Sequence, residues 1–560
     1  MEKILKIFNK EFINVNQAAL LLGIFTLLSQ ILALFRDRFI AHFVGPSAGL
    51  DAYYAAFRIP DLIFISIASL ASVTVLIPFI SAKMKDGKVT EESKKFMNSV
   101  FTVFLGAMII VSVVIFFLMP VLAKLVAPGF SPEMQAKLVM LSRIMLFSPI
   151  LMGLSNLFGT VTQLFRRFFF YSLSPIFYNL GIIFGVIILY PIFGIKGMAI
   201  GVAFGAFLHF LIQAFASSGC GFRPRFSFKI DFKEIRKVVA TSLPRTLGLA
   251  FNSISLVCII ALASFQKSGS ISIFNFSYNL QSVPLNIIGV SYAVASFPIL
   301  VKSFSPGKLE QFKLHLKNTA RQIIFWSLPV TFLFIVLRAQ IVRVILGSRT
   351  FSWDNTRLVA ASLAIFSISV LAQGMVALLS RAYYATGNTK RPLTINLISS
   401  ISIIILAYVF THVFNSVPMF RYIIESMFKV TDIPGTSVLM LPLAYSVGSI
   451  INFILQWVFI KRDFMEKKEQ FIAKTFFQSL GASFFIGIVS YLSLNAFSSV
   501  FGLGTFWGVF LQGFISGIFG ISAGAVVLYM LKNKEFSDLI KTLKSKFWKQ
   551  KVIAPEQQEL

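Results

Sequence analysis

The chain has 560 residues, of which 56% are hydrophobic and only 13% are charged, and its formal net charge is +29. Soluble domains carry about 25% charged residues, so this composition excludes an ordinary soluble protein. Apolar runs of about 20 residues recur from end to end, and each is long enough to cross a hydrocarbon core. We therefore expect an all-α polytopic membrane protein.

In chain order, the first predicted element is a helix over residues 1–15, which is basic and amphipathic and is therefore expected to lie at the membrane interface. It is not predicted to be a cleavable signal peptide, because no small-residue cleavage site follows it. About fourteen transmembrane helices are predicted after it. They lie near 16–35, 51–82, 96–118, 138–160, 168–190, 195–217, 238–264, 272–300, 320–340, 358–380, 392–413, 437–460, 472–497 and 504–531.

The distribution of basic residues predicts the topology. With the N-terminus placed in the cytoplasm, most of the 51 lysines and arginines fall in cytoplasmic segments such as 83–95, 218–237 and 302–321. Both termini are then cytoplasmic, and the charge also attracts anionic lipid headgroups. We therefore expect no nucleic-acid partner. Residues 533–551 repeat apolar side chains at helical spacing among lysines, which predicts a helix on the cytoplasmic leaflet or, alternatively, a solvated tail.

A faint internal repeat predicts the domain organisation. SPIFYNL (174–180) and RPLTINL (391–397) both begin the fifth span of a six-span set and share Pro, Asn and Leu at a constant offset. An even number of spans separates them, so the halves are expected to be parallel repeats.

The predicted domains follow from this repeat. They are a six-helix N-lobe at 16–217, a cytoplasmic linker at 218–237, a six-helix C-lobe at 238–460, two extra C-terminal helices at 472–531 and a basic cytoplasmic tail at 532–560.

The sequence lacks the motifs that are typical of several classes of enzyme and metal site. The chain contains no nucleotide-binding P-loop, no HExxH metal motif and no Cys/His cluster, and Cys220 and Cys258 have no redox or metal spacing. No outside loop carries a carboxylate pair suited to acid–base catalysis. We therefore predict that the protein is not an enzyme and uses no cofactor or metal.

Residues 35–61 concentrate charge in and beside the first two spans. They carry Arg36, Asp37, Arg38, Asp51, Arg58 and Asp61. A charge inside a span costs about 2.5–3.5 kcal/mol on insertion scales, so such residues usually face a bundle interior or water. Asp51 and Arg58 are spaced for one helix face, and Arg58 and Asp61 are close enough in sequence to pair. Arg245 follows Pro244 at the start of the seventh span.

Two interpretations of these charges stay open. One is a structural ion-pair network between the first two spans, with arginines that snorkel to the outer interface. The other is a cationic, water-filled cavity between the two halves. Arginines outnumber aspartates in the spans, and the guanidinium fork suits phosphate oxygens, so the second interpretation predicts an anionic substrate.

The stretch FRDRFIAHFVGPSAGLDAYYAAFRIPD (35–61) resembles the N-terminal signature of the MurJ/MviN lipid II flippases, within the MATE-like multidrug/oligosaccharidyl-lipid/polysaccharide exporter superfamily. Shorter similar pieces are APGF, LPRTLGL, IIGVSYAVASFP and YATGNTKRP. The resemblance implies two six-helix lobes around a central cationic cavity, with the last two helices forming a groove for a polyprenyl tail. It also implies alternating access that moves a polyprenyl-pyrophosphate-linked peptidoglycan precursor, lipid II, across a bacterial cytoplasmic membrane.

Arg36, Asp51 and Arg58 fall on positions of the family signature, and the resemblance implies that cavity arginines bind the pyrophosphate. The full set of candidates for substrate binding adds Arg38 and Arg245, as replacements for lost cationic positions, and Asn279. Asp51 is also the candidate coupling or gating carboxylate. Cationic positions common in the family are occupied here by Gln30, by Phe64 and Ile65, and by Tyr278 and Asn279.

Three alternatives to a lipid II flippase stay open. They are a flippase for another polyprenyl-linked oligosaccharide, a MATE-type cation or drug antiporter, and a non-transporting scaffold. Membrane potential or a coupling ion would drive a flippase.

Overall fold

The structure is a computed structural model, and it describes residues 15–68, 73–85, 89–165, 167–220, 222, 225–227, 230–304, 309–464, 472–502 and 504–548. The regular elements in these ranges are helices. Nearly all of the predicted interfacial helix at 1–15 and the last part of the predicted tail lie outside the described residues.

The helices in the first half of the chain are α1 (Val15–Phe43), α2 (Ala48–Ala56), α3 (Arg58–Ile63), α4 (Val73–Ser81), α5 (Glu91–Val126), α6 (Pro132–Met145), α7 (Phe147–Leu164), α8 (Phe168–Phe184), α9 (Tyr190–Phe193) and α10 (Ile195–Ser218). Those in the second half are α11 (Phe232–Ala263), α12 (Ser270–Pro284), α13 (Ser291–Ser303), α14 (Leu309–Val336), α15 (Arg338–Leu346), α16 (Trp353–Ile368), α17 (Val370–Ala385), α18 (Lys390–Ser416), α19 (Pro418–Phe428), α20 (Met440–Phe464), α21 (Ala473–Ala496), α22 (Phe506–Met530) and α23 (Lys534–Trp548). Short π-helical segments follow α3, α8 and α12.

The prediction of a polytopic helical membrane protein is confirmed. Within the described residues, eleven helical segments are long and apolar enough to cross a membrane. The pair α16 and α17, which is bent by 43°, brings the number to twelve. The count of fourteen stays a prediction.

The predicted second span is divided into short helices. Pro60 lacks a backbone N–H and its ring crowds the carbonyl four residues earlier, so an α-helix cannot run through it undisturbed. The helix breaks at Phe57, between α2 and α3. The carbonyl of Ala56, which Pro60 leaves without its helical donor, accepts a hydrogen bond of 3.4 Å from the hydroxyl of Ser142 on α6. The interruption lies directly before Arg58.

The described residues fall into two compact units. The first comprises Met1–Val283, Val342–Ser369 and Gly387–Gln456. In it, α1 packs against α8 and α11 packs against α18. These are the first and fifth spans of each predicted half, the pairing that parallel repeats would produce. The two-lobe division itself stays a prediction.

The second unit comprises Pro284–Ile341, Val370–Thr386 and Trp457–Leu560. In it, α14 packs against α21, and α21 packs closely against α22. Asn533 caps α23 by accepting a hydrogen bond of 2.9 Å from the backbone N–H of Phe536. The predicted C-terminal helix is therefore confirmed over Lys534–Trp548, and its position on the membrane stays a prediction.

Candidate functional site

The first unit contains a cavity of about 350 Å³, at the small end of the roughly 300–1,000 Å³ typical of ligand pockets. The chain segments around it come from α1, α2, α3, α8, α11 and α12. Its polar lining residues are Arg36, Tyr53, Tyr54, Arg58, Asp61, Tyr178, Asn275, Tyr278 and Asn279. Three of the predicted site residues, Arg36, Arg58 and Asn279, are therefore brought together.

Arg36 lies at the centre of a hydrogen-bond chain that joins three helices. Its Nε and Nη2 donate to Oδ1 of the buried Asp37 at 2.9 and 2.8 Å, and its Nη1 donates to Oδ1 of Asn179 on α8 at 3.1 Å. The second oxygen of Asp37 accepts from Nδ2 of Asn279 on α12 at 3.0 Å. Asp37 offsets the charge of Arg36 and orients its guanidinium within the cavity.

Arg58 follows the helix break and also lines the cavity. Its Nη2 donates to Oδ1 of Asn275 at 2.6 Å, rather than to Asp61 as the sequence spacing suggested. The Nε of Arg58 and the phenol oxygen of Tyr54 are buried and have no hydrogen-bond partner among the described residues. An unmade hydrogen bond on a buried polar group is costly, so these two groups are suited to a ligand oxygen.

One residue of the cavity lining, Tyr278, belongs to an aromatic cluster. The resemblance predicted part of a charged pair in the family at this position, and here the Tyr278 ring stacks on Phe274 at 6.1 Å. Phe366 and Tyr445 pack edge-on against Tyr278 at 5.8 and 5.6 Å. Arg36 and Arg58 are the arginines that line the cavity within the described residues.

Arg38 does not line the cavity. Its Nη1 donates to the carbonyl oxygens of Val344 and Ile345 at 2.5 and 3.4 Å, at the C-terminal end of α15. The last carbonyls of a helix lack intrahelical donors and carry partial negative charge, so a guanidinium stabilises them. Arg36 and Arg38 are two residues apart on α1, and such side chains lie on opposite sides of a helix.

Asp51 also lies outside the cavity lining. Its carboxylate is buried against the start of α12, where it accepts hydrogen bonds from the backbone N–H groups of Gly269 and Ser272 at 2.6 and 2.8 Å. The hydroxyl of Ser272 donates to it at 2.6 Å. A carboxylate at this point satisfies orphan N–H groups and complements the helix dipole, as an N-cap residue does.

Arg38, Asp51 and Thr350 and their partners form what we call the outer contact, at the predicted outer end of the helices. The loop after α1 contributes to this contact because it lies against Thr350. The hydroxyl of Thr350 is 2.7 and 2.6 Å from the carbonyl oxygens of Ala41 and His42. Gly45 adopts a φ of +63° and lies so close to the backbone of Thr350 that a side chain would overlap it. The outer contact joins the first half of the chain to the second.

A second contact between the halves, the inner contact, lies at the predicted cytoplasmic end. Nζ of Lys83 is 2.7 Å from carboxylate oxygens of both Glu234 and Glu92. These hydrogen bonds raise the pKa of the Lys83 ammonium above its ordinary value. The backbone N–H of Ser227 in the linker donates to Thr102 on α5 at 2.9 Å. The inner contact therefore combines an ion pair between the halves and a backbone hydrogen bond with apolar packing, because Val238 of α11 belongs to the same core cluster as Ile80 and Phe96.

Sequence reasoning did not identify Asn179, Tyr54 or Asn275 as part of the site. Asn275 and Asn279 are four residues apart on α12, which puts them on one helix face and was a usable signal. Asn179 is the shared asparagine of the repeat SPIFYNL, which marked it as part of the repeat and not of the site, and Tyr54 carried no signal. The side chain of Arg245, the remaining predicted site residue, lies outside the described part of the chain.

Comparison with known proteins assigns the chain to a family. The family described as lipid II flippase MurJ matches residues 40–512. A relative named "Probable lipid II flippase MurJ", from Rickettsia prowazekii, is 27% identical over 392 residues, which are 69% of this chain and 76% of the relative.

Two solved structures share the fold. A structure of lipid II flippase MurJ in an inward closed conformation has a TM-score of 0.72 and 23% identity, and the match covers 93% of this chain and all of the other. An inward-facing MATE transporter has a TM-score of 0.60 and 14% identity, over 78% of this chain and 95% of the other. The family match extends over most of the sequence, and the chain therefore belongs to the lipid II flippase MurJ family.

Proposed function

We propose that this protein moves lipid II, a polyprenyl-pyrophosphate-linked peptidoglycan precursor, from the inner to the outer leaflet by alternating access, and that Arg36 and Arg58 bind the pyrophosphate. One observation carries the role of the arginines. Two arginines border one cavity, and two buried donor groups there, Nε of Arg58 and the phenol of Tyr54, have no hydrogen-bond partner in the part of the chain that the structure describes. A pyrophosphate has oxygens to satisfy them, and an arginine can bind it through two parallel hydrogen bonds.

The size of the cavity bears on the transport cycle. A volume of about 350 Å³ accommodates the phosphates more readily than a whole glycopeptide headgroup. In this proposal the structure represents a closed state. The inner contact opens to admit the headgroup from the cytoplasmic leaflet, and the outer contact then opens to release it. Asp51 acts as the gate residue, because its three hydrogen bonds must break for the start of α12 to move.

The membrane placement belongs to the same proposal. The protein lies in the bacterial cytoplasmic membrane with both termini in the cytoplasm, and the excess of cytoplasmic basic residues supports this orientation. Residues 472–531 form the groove for the polyprenyl tail, and the basic surface binds anionic lipids. A membrane potential supplies about 2.3 kcal/mol per unit charge per 100 mV, so it can bias movement of an anionic headgroup, with or without a coupling ion.

The test is complementation of a bacterium depleted of its own lipid II flippase. We expect the wild-type protein to restore growth, and Arg36→Ala and Arg58→Ala to fail at equal membrane abundance, because each removes a cavity cation. The matched control is Arg462→Ala, since Arg462 is largely exposed, lies outside the cavity lining and contacts its near neighbours Asp463 and Phe459.

Each result of this experiment decides one part of the proposal. Growth with both cavity variants would contradict the role of the arginines in binding and leave them a structural role. Failure of a well-expressed wild-type protein would contradict lipid II as the cargo and favour another polyprenyl-linked oligosaccharide. Failure of Arg462→Ala would show that loss of any arginine impairs the protein.

A further inference from the structure

Helix α19 carries an unusual apolar surface. It spans Pro418–Phe428 and begins directly after the membrane helix α18 ends at Ser416. Its large apolar side chains are exposed at Met419, Tyr422, Ile423 and Met427, by 66, 63, 49 and 60%. These positions recur at three- and four-residue spacing, so they form one stripe along the helix.

The side of α19 that faces the protein buries the apolar Ile424 together with the charged Glu425. Glu425 is only 6% exposed, and its Oε1 accepts hydrogen bonds from the hydroxyl of Thr436 at 2.5 Å and from Nε of Arg421 at 2.9 Å. A helix on a water-exposed surface usually carries polar residues on its outer face. The outer face of α19 instead carries four large apolar side chains, which indicates that water is not the medium around the stripe.

The helix is held in place by the loop that follows it. Arg357 donates from Nη1 and Nη2 to the two oxygens of Asp432 at 2.7 and 2.6 Å, and its Nε donates to the carbonyl of Lys429 at 3.2 Å. Lys429 ends the helix in the left-handed conformation, with φ of 58°. A two-point guanidinium–carboxylate pair fixes geometry better than a single contact. The stripe is therefore presented by an anchored element.

The surface next to α19 identifies what covers the stripe. On α18, one of the helices apolar enough to cross a membrane, Ile405, Tyr408 and Val409 are exposed by 55, 63 and 40%. The stripe follows this lipid-facing surface after a turn of one residue, Val417. Tyrosines such as Tyr408 and Tyr422 are enriched where acyl chains meet headgroups, because one end of the ring is apolar and the other polar.

We propose that α19 lies in the plane of the outer leaflet, with its apolar stripe inserted at the boundary between headgroups and acyl chains. The partner is the lipid surface itself. Amphipathic helices of this kind bury their apolar face about 5–10 Å into that boundary. The arrangement does not depend on the cargo, so it stands or falls separately from the proposed transport function.

The test uses spin labels on the full-length protein in vesicles of phosphatidylethanolamine and phosphatidylglycerol. Cys220 and Cys258 are first replaced by serine, and single cysteines are then introduced as Tyr422→Cys and Met427→Cys. Ile405→Cys serves as the lipid control, and Thr431→Cys, in the exposed loop after α19, serves as the water control. Collisions of each label with oxygen, which partitions into lipid, and with a nickel chelate, which stays in water, are measured.

We expect both stripe labels to give an oxygen-to-nickel collision ratio close to that at Ile405 and several-fold above that at Thr431. A ratio equal to that at Thr431 would place the stripe in water and overturn the proposal. Protection from both reagents would also overturn it, because a second copy of the chain or another protein would then cover the stripe. Size-exclusion elution of each variant as the parent protein verifies that it is folded.

Discussion

The outer contact and the inner contact both join the first half of the chain to the second, but they are built from different interactions. In the outer contact the carboxylate of Asp51 is 3% exposed and receives two backbone N–H groups and a hydroxyl. In the inner contact the side chain of Lys83 is 15% exposed, and its partners Glu92 and Glu234 are 70% and 31% exposed.

This difference in burial has energetic consequences. A buried hydrogen-bonded carboxylate is hard to separate from its partners, because separation leaves charged and polar groups unsatisfied. Exposed ion pairs contribute little and are screened by salt. The contrast predicts that removing the buried carboxylate of the outer contact costs more stability than removing the ion pairs of the inner contact.

The largest expected effect is at Asp51. Asp51→Ala removes three hydrogen bonds and leaves the donors of Gly269 and Ser272 buried without a partner, so we expect a loss of about 3 kcal/mol or more in the free energy of unfolding. Thermal unfolding of the purified protein in detergent measures it. Asp51→Asn is the matched variant. It keeps one acceptor oxygen, although its amide NH₂ group then faces a backbone N–H group. Its loss in the free energy of unfolding should therefore be smaller than that of Asp51→Ala. An unchanged unfolding midpoint in Asp51→Ala would show that the buried carboxylate does not make the outer contact the more stable of the two.

An intermediate effect is expected at Arg38. Arg38→Gln removes the charge that stabilises the last carbonyls of α15, which is worth about 1 kcal/mol. Because Arg38 lies outside the cavity, growth in the complementation assay should persist while the unfolding midpoint falls. The opposite pattern, a normal midpoint with failed growth, would return Arg38 to the cargo site and contradict its assignment to the outer contact.

The smallest effect is expected at Lys83, and it should depend on salt. Lys83→Ala removes the ion pairs with Glu234 and Glu92, so it should lower the unfolding midpoint less than Asp51→Ala or Arg38→Gln does. High salt should abolish the difference in midpoint between Lys83→Ala and the wild-type protein. A shift in Lys83→Ala that persists in high salt and equals that of Asp51→Ala would break the comparison between the two contacts.

The pH dependence of the inner contact has a definite sign. The partners raise the folded pKa of Lys83 above its ordinary 10.5, so their contribution is complete below 10.5 and is lost as the pH rises through the folded value. A change of pH across the neutral range should therefore leave the charge of Lys83, and its contribution to the stability of the inner contact, unchanged.

The sequence predicted some of the residues that border the cavity, but it did not predict which partners the other charged residues have. Arg36, Arg58 and Asn279 border one cavity, as their charge and the family resemblance suggested. Asp51 and Arg58 were expected on one helix face because they are seven residues apart. Both side chains contact α12, Asp51 through Ser272 and Arg58 through Asn275, so they face the same neighbouring helix across the interruption at Phe57. Arg58 also borders the cavity and Asp51 does not. Helical spacing relates the two residues to one face, but it does not say which of them reaches a cavity.

The sequence alone determined the class of the molecule, the family and the positions of most membrane helices, because those follow from long apolar runs and from local motifs. Tertiary structure alone decided which charges share a cavity and which cap a helix end. Asn179 reaches Arg36 across 143 positions, and Asp51 reaches Ser272 across 221. Such partners are chosen by how distant helices pack, and no local pattern in the sequence encodes that distance.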